Sequence, residues 1–217
     1  DICQDKEIDM GNTTFSGPVR SKGGFTSIAS ASGTGTETTQ MSISSAGFTS
    51  LDANTLATEA GTGITGGTGT IYRSSVIREG GIIKTSILID LTGLRSTANG
   101  DIIGVDGTSN VCHIGQITAA RNGTILAGRM TCFEAPAGGD PDINVHSATE
   151  GTGVEDGAIS DLTETLLLNG GDASLGSVGI FTAVPAADEF LYLTLGATTN
   201  ADYTAGKLLI ELFGYEA

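Results

Sequence analysis

The sequence predicts an all-β fold, an antiparallel β sandwich of jelly-roll type over residues 71–217 that follows an extended N-terminal arm over residues 1–70. Three observations predict it. With 33 Gly, four Pro and no Trp in 217 residues, on a dense background of Ser and Thr, the chain is rich in residues that form turns and strands more readily than helices. Short apolar runs with period-two alternation recur after residue 70. Asp-Gly and Asn-Gly pairs punctuate them, the chemistry of tight turns that need positive φ. A chain of this length can bury a sizeable core.

The arm opens on a polar stretch, continues through Thr14–Arg20 with a break at Gly17-Pro18, and reaches Gly23-Gly24-Phe25. Of the 45 residues 26–70, 27 are Gly, Ser or Thr, and Glu37, Asp52 and Glu59 are the charged ones. Such a segment holds too little apolar mass to offset the entropy of ordering its own backbone. Its order is therefore expected to come from a partner. Its sparse apolar residues recur as Met41, Ile43, Phe48, Leu51 and Leu56, and Gln40–Ser44 alternates with period two. That pattern fits short strands added to a neighbour's sheet, with a flexible linker as the alternative. The glycine-rich run Gly61–Gly69 lacks a phosphate-cradling P-loop pattern and reads as a hinge.

After residue 70 the strand signals are regular. Tyr72–Ile77 ends at Glu79-Gly80-Gly81, Ile82–Leu91 is a long apolar run, Asp101–Val105 closes at Asp106-Gly107, and Val111–Ala119 closes at Arg121-Asn122-Gly123. Thr124–Glu134, Ile143–Ser147, Thr163–Leu168, Val178–Ala183, Glu189–Leu195 and Lys207–Tyr215 follow. Ile159–Leu167 is where a short helix competes. Period two places Ile87, Ile89, Ile117, Leu126, Met130, Leu191, Leu193, Leu208 and Ile210 inward.

The formal net charge is −15, from 10 bases and 25 acids. Residues 130–217 hold 14 of those acids and one base, Lys207. A surface of that sign repels phosphate backbones, which excludes nucleic acid as an expected partner. The same acids should face solvent, since each unpaired buried carboxylate costs several kcal/mol. Residues 1–59 are nearer balance, with Lys6, Arg20 and Lys22 against seven acids. No apolar run reaches the ~18 residues of a membrane span, and no secretory leader pattern opens the chain. A membrane partner is not expected.

The residues that could carry chemistry do not assemble in the sequence. Cys3, Cys112 and Cys132 form an odd set with no CxxC spacing, so a disulfide framework and structural zinc are both disfavoured. Cys112 and Cys132 read as small buried hydrophobes, with a cross-strand bridge left open. Cys112 cannot use the adjacent His113 in one extended strand, because consecutive side chains point to opposite faces. Cys132 with His146 is the remaining nucleophile–base pairing. Asp140, Asp142 and Asn144 mimic the start of a calcium loop, but Val145 and Gly151 stand where its glycine and closing acid belong. Calcium held in another geometry stays open beside a solvated acidic turn. Glu155-Asp156 and Asp188-Glu189 are adjacent pairs of the kind ordinary surfaces carry, without a Trp platform for a sugar. No catalytic residue, metal or cofactor is expected.

Several blocks resemble virion proteins of tailed bacteriophages, aquatic ones especially: Thr14–Ser21 with Gly24-Phe25, Gly104-Val105 through His113–Thr118, Ala135–Asp140, and Ala205–Tyr215. The resemblance spans most of the chain and contains no chemical motif. It implies a capsid decoration, or cement, protein on the outer surface of the head, assembled in the host cytoplasm, with the major capsid protein and further copies of itself, as a homotrimer, for partners. A head-fibre or tail-spike receptor-binding module is the alternative, and a β-sandwich hydrolase a more distant one. Within that reading the arm is the anchor. Phe15, Val19, Arg20, Lys22 and Phe25 combine apolar groups with positive charge, and are the residues expected to bind the capsid.

Overall fold

The computed structural model describes residues 25–30, 37–44, 47–51, 59–79 and 81–216. With 48% strand and 7% helix the chain is all-β, as its composition predicts. It divides into two compact units, Asp1–Asp52 and Ala53–Ala217. The expected boundary at residue 70 falls inside the second of these.

In the first unit β1 (Phe25–Ser30), β2 (Glu37–Ser44) and β3 (Gly47–Leu51) form an antiparallel sheet in the order β1-β2-β3. The alternating Gln40–Ser44 piece lies in β2, as its period requires. Its strand partners are β1 and β3 of the same chain.

The second unit is built on two antiparallel sheets. A five-stranded sheet contains β4 (Ile71–Glu79), β5 (Ile82–Asp90), β8 (Thr124–Ala137), β11 (Val178–Ile180) and β14 (Ala205–Tyr215), in the order β11-β8-β14-β5-β4. A four-stranded sheet contains β7 (Gly115–Gln116), β9 (Ile143–Ala148), β10 (Glu164–Leu168) and β12 (Phe190–Leu195), in the order β10-β9-β12-β7. A small pair, β6 (Arg95–Ser96) with β13 (Ala201–Asp202), completes the strands among the described residues. Inward residues of both sheets share one hydrophobic cluster, with Ile87, Ile89, Met130, Leu208 and Ile210 from the first and Val145, Leu191 and Leu193 from the second. Burial of each such side chain contributes roughly 1.5–3 kcal/mol.

The β4–β5 hairpin is the turn the sequence announces. Glu79 stands opposite Ile82, and Gly81 takes φ +85°. Asn122-Gly123 acts otherwise. Thr118 accepts from the Arg121 amide, and its own amide donates to Asn122 Oδ1 at 2.9 Å. These bonds close a helical turn, α2 (Ala119–Asn122), after the earlier α1 (Thr62–Thr65). Gly123 at φ +67° then leads the chain from one sheet to the other. Ile159–Asp161 forms one 3₁₀ turn before β10, so strand and helix share the contested stretch.

Three expectations need correction. Leu126 is 62% exposed and Ile125 is buried in its place. Phe213 pairs with Ala127 but Gly214 with Ile125, so Leu126 is the extra residue of a β-bulge that reverses the alternation Gly128, Met130 and Cys132 establish. Asp101–Val105 and Val111–Ala119 are not continuous strands. They run beside β12 in pieces, through Ile103 N to Leu193 O and Ile114 N to Leu191 O, each at 2.9 or 2.8 Å, interrupted by the turn at Gly107. Gly61–Gly69 is not a hinge either. Gly63 and Ile64 are buried in α1, Gly61 N donates to His113 O and Gly63 N to Val111 O, and a Cβ on Gly63 would stand 2.4 Å from Cys112 Sγ. These glycines permit close backbone approach.

Candidate interaction surface

Of the five residues expected to bind a capsid, Phe15, Val19, Arg20 and Lys22 lie outside the described residues. Phe25 opens β1, where its backbone pairs with Ile43.

The chemical candidates are dispersed. Cys112 is buried and free, its thiol pushed up to about 12 chiefly by burial, and it donates to Asn110 O at 3.3 Å. The His113 ring packs against Phe190, 5.0 Å between centroids, and meets Tyr192 edge-on. Burial holds His113 below the usual imidazole range. Cys132 is also free and buried, on β8, with its thiol donating to Glu134 O and its pKa raised by burial. His146 instead engages Glu164 Oε2 at 2.8 Å through Nδ1. Neither thiol is activated. Asp140 accepts from the amides of Asp142 and Thr199, which outweigh its burial and lower its pKa. Asp142 is raised by burial and by the charges of Asp172 and Asp140. Among the described residues no three His, Cys, Asp or Glu side chains gather as metal ligands. A recess of about 330 Å³, lined chiefly by Ile117, Ile125, Val184 and Pro185, presents mainly apolar atoms.

The two sheets differ on their outer faces. On the four-stranded sheet, Tyr192 points outward yet is fully buried, because its hydroxyl donates to Glu150 O at 2.8 Å and accepts from Gly153 N at 3.2 Å. Loop residues around 149–162 thus cover that face. On the five-stranded sheet, alternation carries Ile71, Arg73, Ile77, Ile82, Lys84, Leu88, Arg129, Thr131, Lys207, Leu209, Glu211 and Phe213 outward. Ile71, Ile77 and Ile82 are exposed there, as are Phe133, Val178 and Ile180 at the β8 and β11 side.

Among the described residues, the charges on this face other than Arg73 are paired. Glu211, on the central strand, has a side chain only 3% exposed, held between Lys84 and Arg129; Arg129 Nε donates to Glu211 Oε2 at 2.6 Å. Arg129 also stacks over Phe213, 5.8 Å from the ring centre. Burial pushes the Glu211 pKa up, but the bonds from Arg129 and Lys84 outweigh it and hold the group below the usual carboxylate range. Two rows along, Lys207 bridges Asp90, at 3.2 Å, and Glu134. A lysine beside two carboxyls could condense to an amide cross-link, with loss of water, only if the amine were neutral and the carboxyl protonated. Here Glu134 and Asp90 raise the Lys207 pKa, and the bonds from Thr92 and Lys207 outweigh burial to lower that of Asp90, so the group remains an ion pair.

The lowered Glu211 pKa has a defined pH signature. A carboxylate depressed in the folded state stabilises it above the unfolded pKa, and that contribution disappears as pH falls through the folded value. Glu211→Gln is therefore expected to cost about 1 kcal/mol at pH 7, lowered from a buried pair's worth because Lys84 and Arg129 can turn to water. The difference in unfolding midpoint between wild type and variant should close on acidification below pH ~4. A pH-independent difference would show that the charge of Glu211 is not what matters.

The expectation that the late acids all face solvent is thus corrected at Asp140, Glu155 and Glu211, which are buried. Sequence reasoning missed the outer face because it sought one inward phase per strand. The signal was present in Ile82–Leu91 and Leu208–Phe213, which are apolar on both phases rather than alternating, the mark of strands meant for two covered faces. Compared with known proteins, the chain matches no family model, no curated protein and no solved structure.

Proposed function

We propose that this chain is a structural virion protein that decorates and stabilises a bacteriophage capsid as a cement protein on its outer surface. The observation that carries the reading is strand order. The sheets run β5-β14-β8-β11 and β7-β12-β9-β10, with β4 added at the edge. Two Greek keys rolled together lay down eight strands in this sequence, and such jelly rolls serve in viral capsids as well as in lectins and cupins. Fold alone does not assign function. The resemblance of Thr14–Ser21, His113–Thr118 and Ala205–Tyr215 to phage virion proteins selects the capsid use.

In this reading residues 1–25 supply the anchor. An extended chain covers roughly 3.3 Å per residue, so some twenty residues reach across neighbouring capsid subunits and can add a strand at their edges. Phe15 and Phe25 fill pockets that fix register, while Val19, Arg20 and Lys22 add apolar and basic contacts. Deleting Asp1–Phe25 should leave the thermal unfolding of Ala53–Ala217 unchanged and abolish co-sedimentation with capsids stripped of this protein. Wild-type occupancy by the truncated chain would move the anchor elsewhere. Failure of the full chain to bind such capsids would refute the decoration reading itself.

A further inference from the structure

We propose that the outer face of the five-stranded sheet is the seat of a second copy of this chain, in a two-fold, face-to-face pair. The inference stands whether or not the protein decorates a capsid.

The four-stranded sheet covers its own outer face with loops, whereas the five-stranded sheet leaves Phe133, Val178 and Ile180 half exposed or more along one side and Ile77 and Ile82 likewise at the other. These are two exposed apolar strips on one face, flanking the charges of the central strands, and large apolar groups gathered on one surface point to an interaction site. The five strands, ~4.8 Å apart and about nine residues long on average, with β11 only three, cover about 700 Å². That is close to the ~800 Å² per partner of a stable interface.

The charges on the face suit it for covering. Glu211 is already held by Lys84 and Arg129, and Lys207 by Asp90 and Glu134. A partner that excludes water here strands none of these ions, and the desolvation penalty falls chiefly on Arg73 of the edge strand, whose guanidinium donates to Tyr72 O.

Charge also chooses the occupant. Residues 53–217 contain seven bases, and Arg73, Lys84, Arg129 and Lys207 are all on this face. They balance Asp90, Glu134 and Glu211 to within one charge, while the molecule as a whole carries −15. Two copies meeting by other surfaces would set carboxylates against carboxylates. Meeting here, each brings a near-neutral face with apolar margins. A basic partner would be drawn instead to the acidic remainder. A face that meets itself is isologous and closes at two copies, not at the three expected from the resemblance.

Sedimentation equilibrium of the full chain at micromolar concentrations tests this. Wild type should be a dimer. Ile180→Asp with Ile77→Asp should weaken the dimer at least tenfold with an unchanged unfolding midpoint, because both side chains are more than half exposed and leave the core untouched. Phe133→Asp should do the same independently. A monomeric wild type would overturn the proposal and leave the face to a different protein. A trimer, or a dimer indifferent to all three substitutions, would overturn it as well.

Discussion

Leu193→Ala is expected to lower the unfolding free energy by about 3–4 kcal/mol, a large part of the ~5–15 kcal/mol that a domain of this kind possesses. Leu193 is fully buried on β12, where it pairs with Val145 of β9 and its carbonyl accepts from Ile103 N at 2.9 Å. Its strand is central to the four-stranded sheet and its side chain points into the cluster that both sheets share. Deleting it leaves a cavity that neighbours on two sheets cannot fill without breaking register. Urea unfolding should show the midpoint falling at constant slope. Leu193→Met, which keeps the volume, should cost less than ~1.5 kcal/mol. Equal costs for the two substitutions would mean that the sheets are not packed closely at this point.

Gly63→Ala is expected to cost about 2–3 kcal/mol although it adds a single methyl group. That methyl carbon would lie 2.4 Å from Cys112 Sγ and 2.6 Å from Asn110 O, so both backbone segments must part. Cys112→Ala removes the nearest of three obstacles, the third being Val111 O at 2.8 Å. The double variant Gly63→Ala, Cys112→Ala should therefore be more stable than the sum of the single costs allows, a non-additivity that denaturant titration can measure. An indifferent Gly63→Ala would return residues 61–69 to the status of a hinge.

The strands that alternate cleanly were legible in the sequence. Ile87, Ile89, Met130, Leu208 and Ile210 point inward as period two requires, and Gln40–Ser44 forms part of a strand. What period two cannot express is an inserted residue. Nothing about Leu126 distinguishes it from Ile125 until the partner strand skips it. Nor does composition separate a glycine that bends freely from one that admits a neighbour, so Gly61 and Gly63 read as hinge while they serve as contact surface. The candidate site was hidden for a further reason. Glu211 is an ordinary acid in sequence, and only the register of β14 between β5 and β8 places it beside Lys84 and Arg129.

That register also governs how the molecule is made. β14 lies between β5 and β8, and Lys207 pairs with Asp90 more than a hundred residues earlier. As the chain leaves the ribosome, β5 and β8 are both synthesised long before the strand that joins them. Until residues 205–215 emerge, each holds an open edge of unpaired amides and carbonyls next to apolar side chains, the condition in which chains pair wrongly with one another. Closure waits on a contact of very long sequence separation, so folding belongs at the slow end of the range for its size. In the interval those two edges are where one nascent chain can pair with another, and the hazard grows with the rate of synthesis.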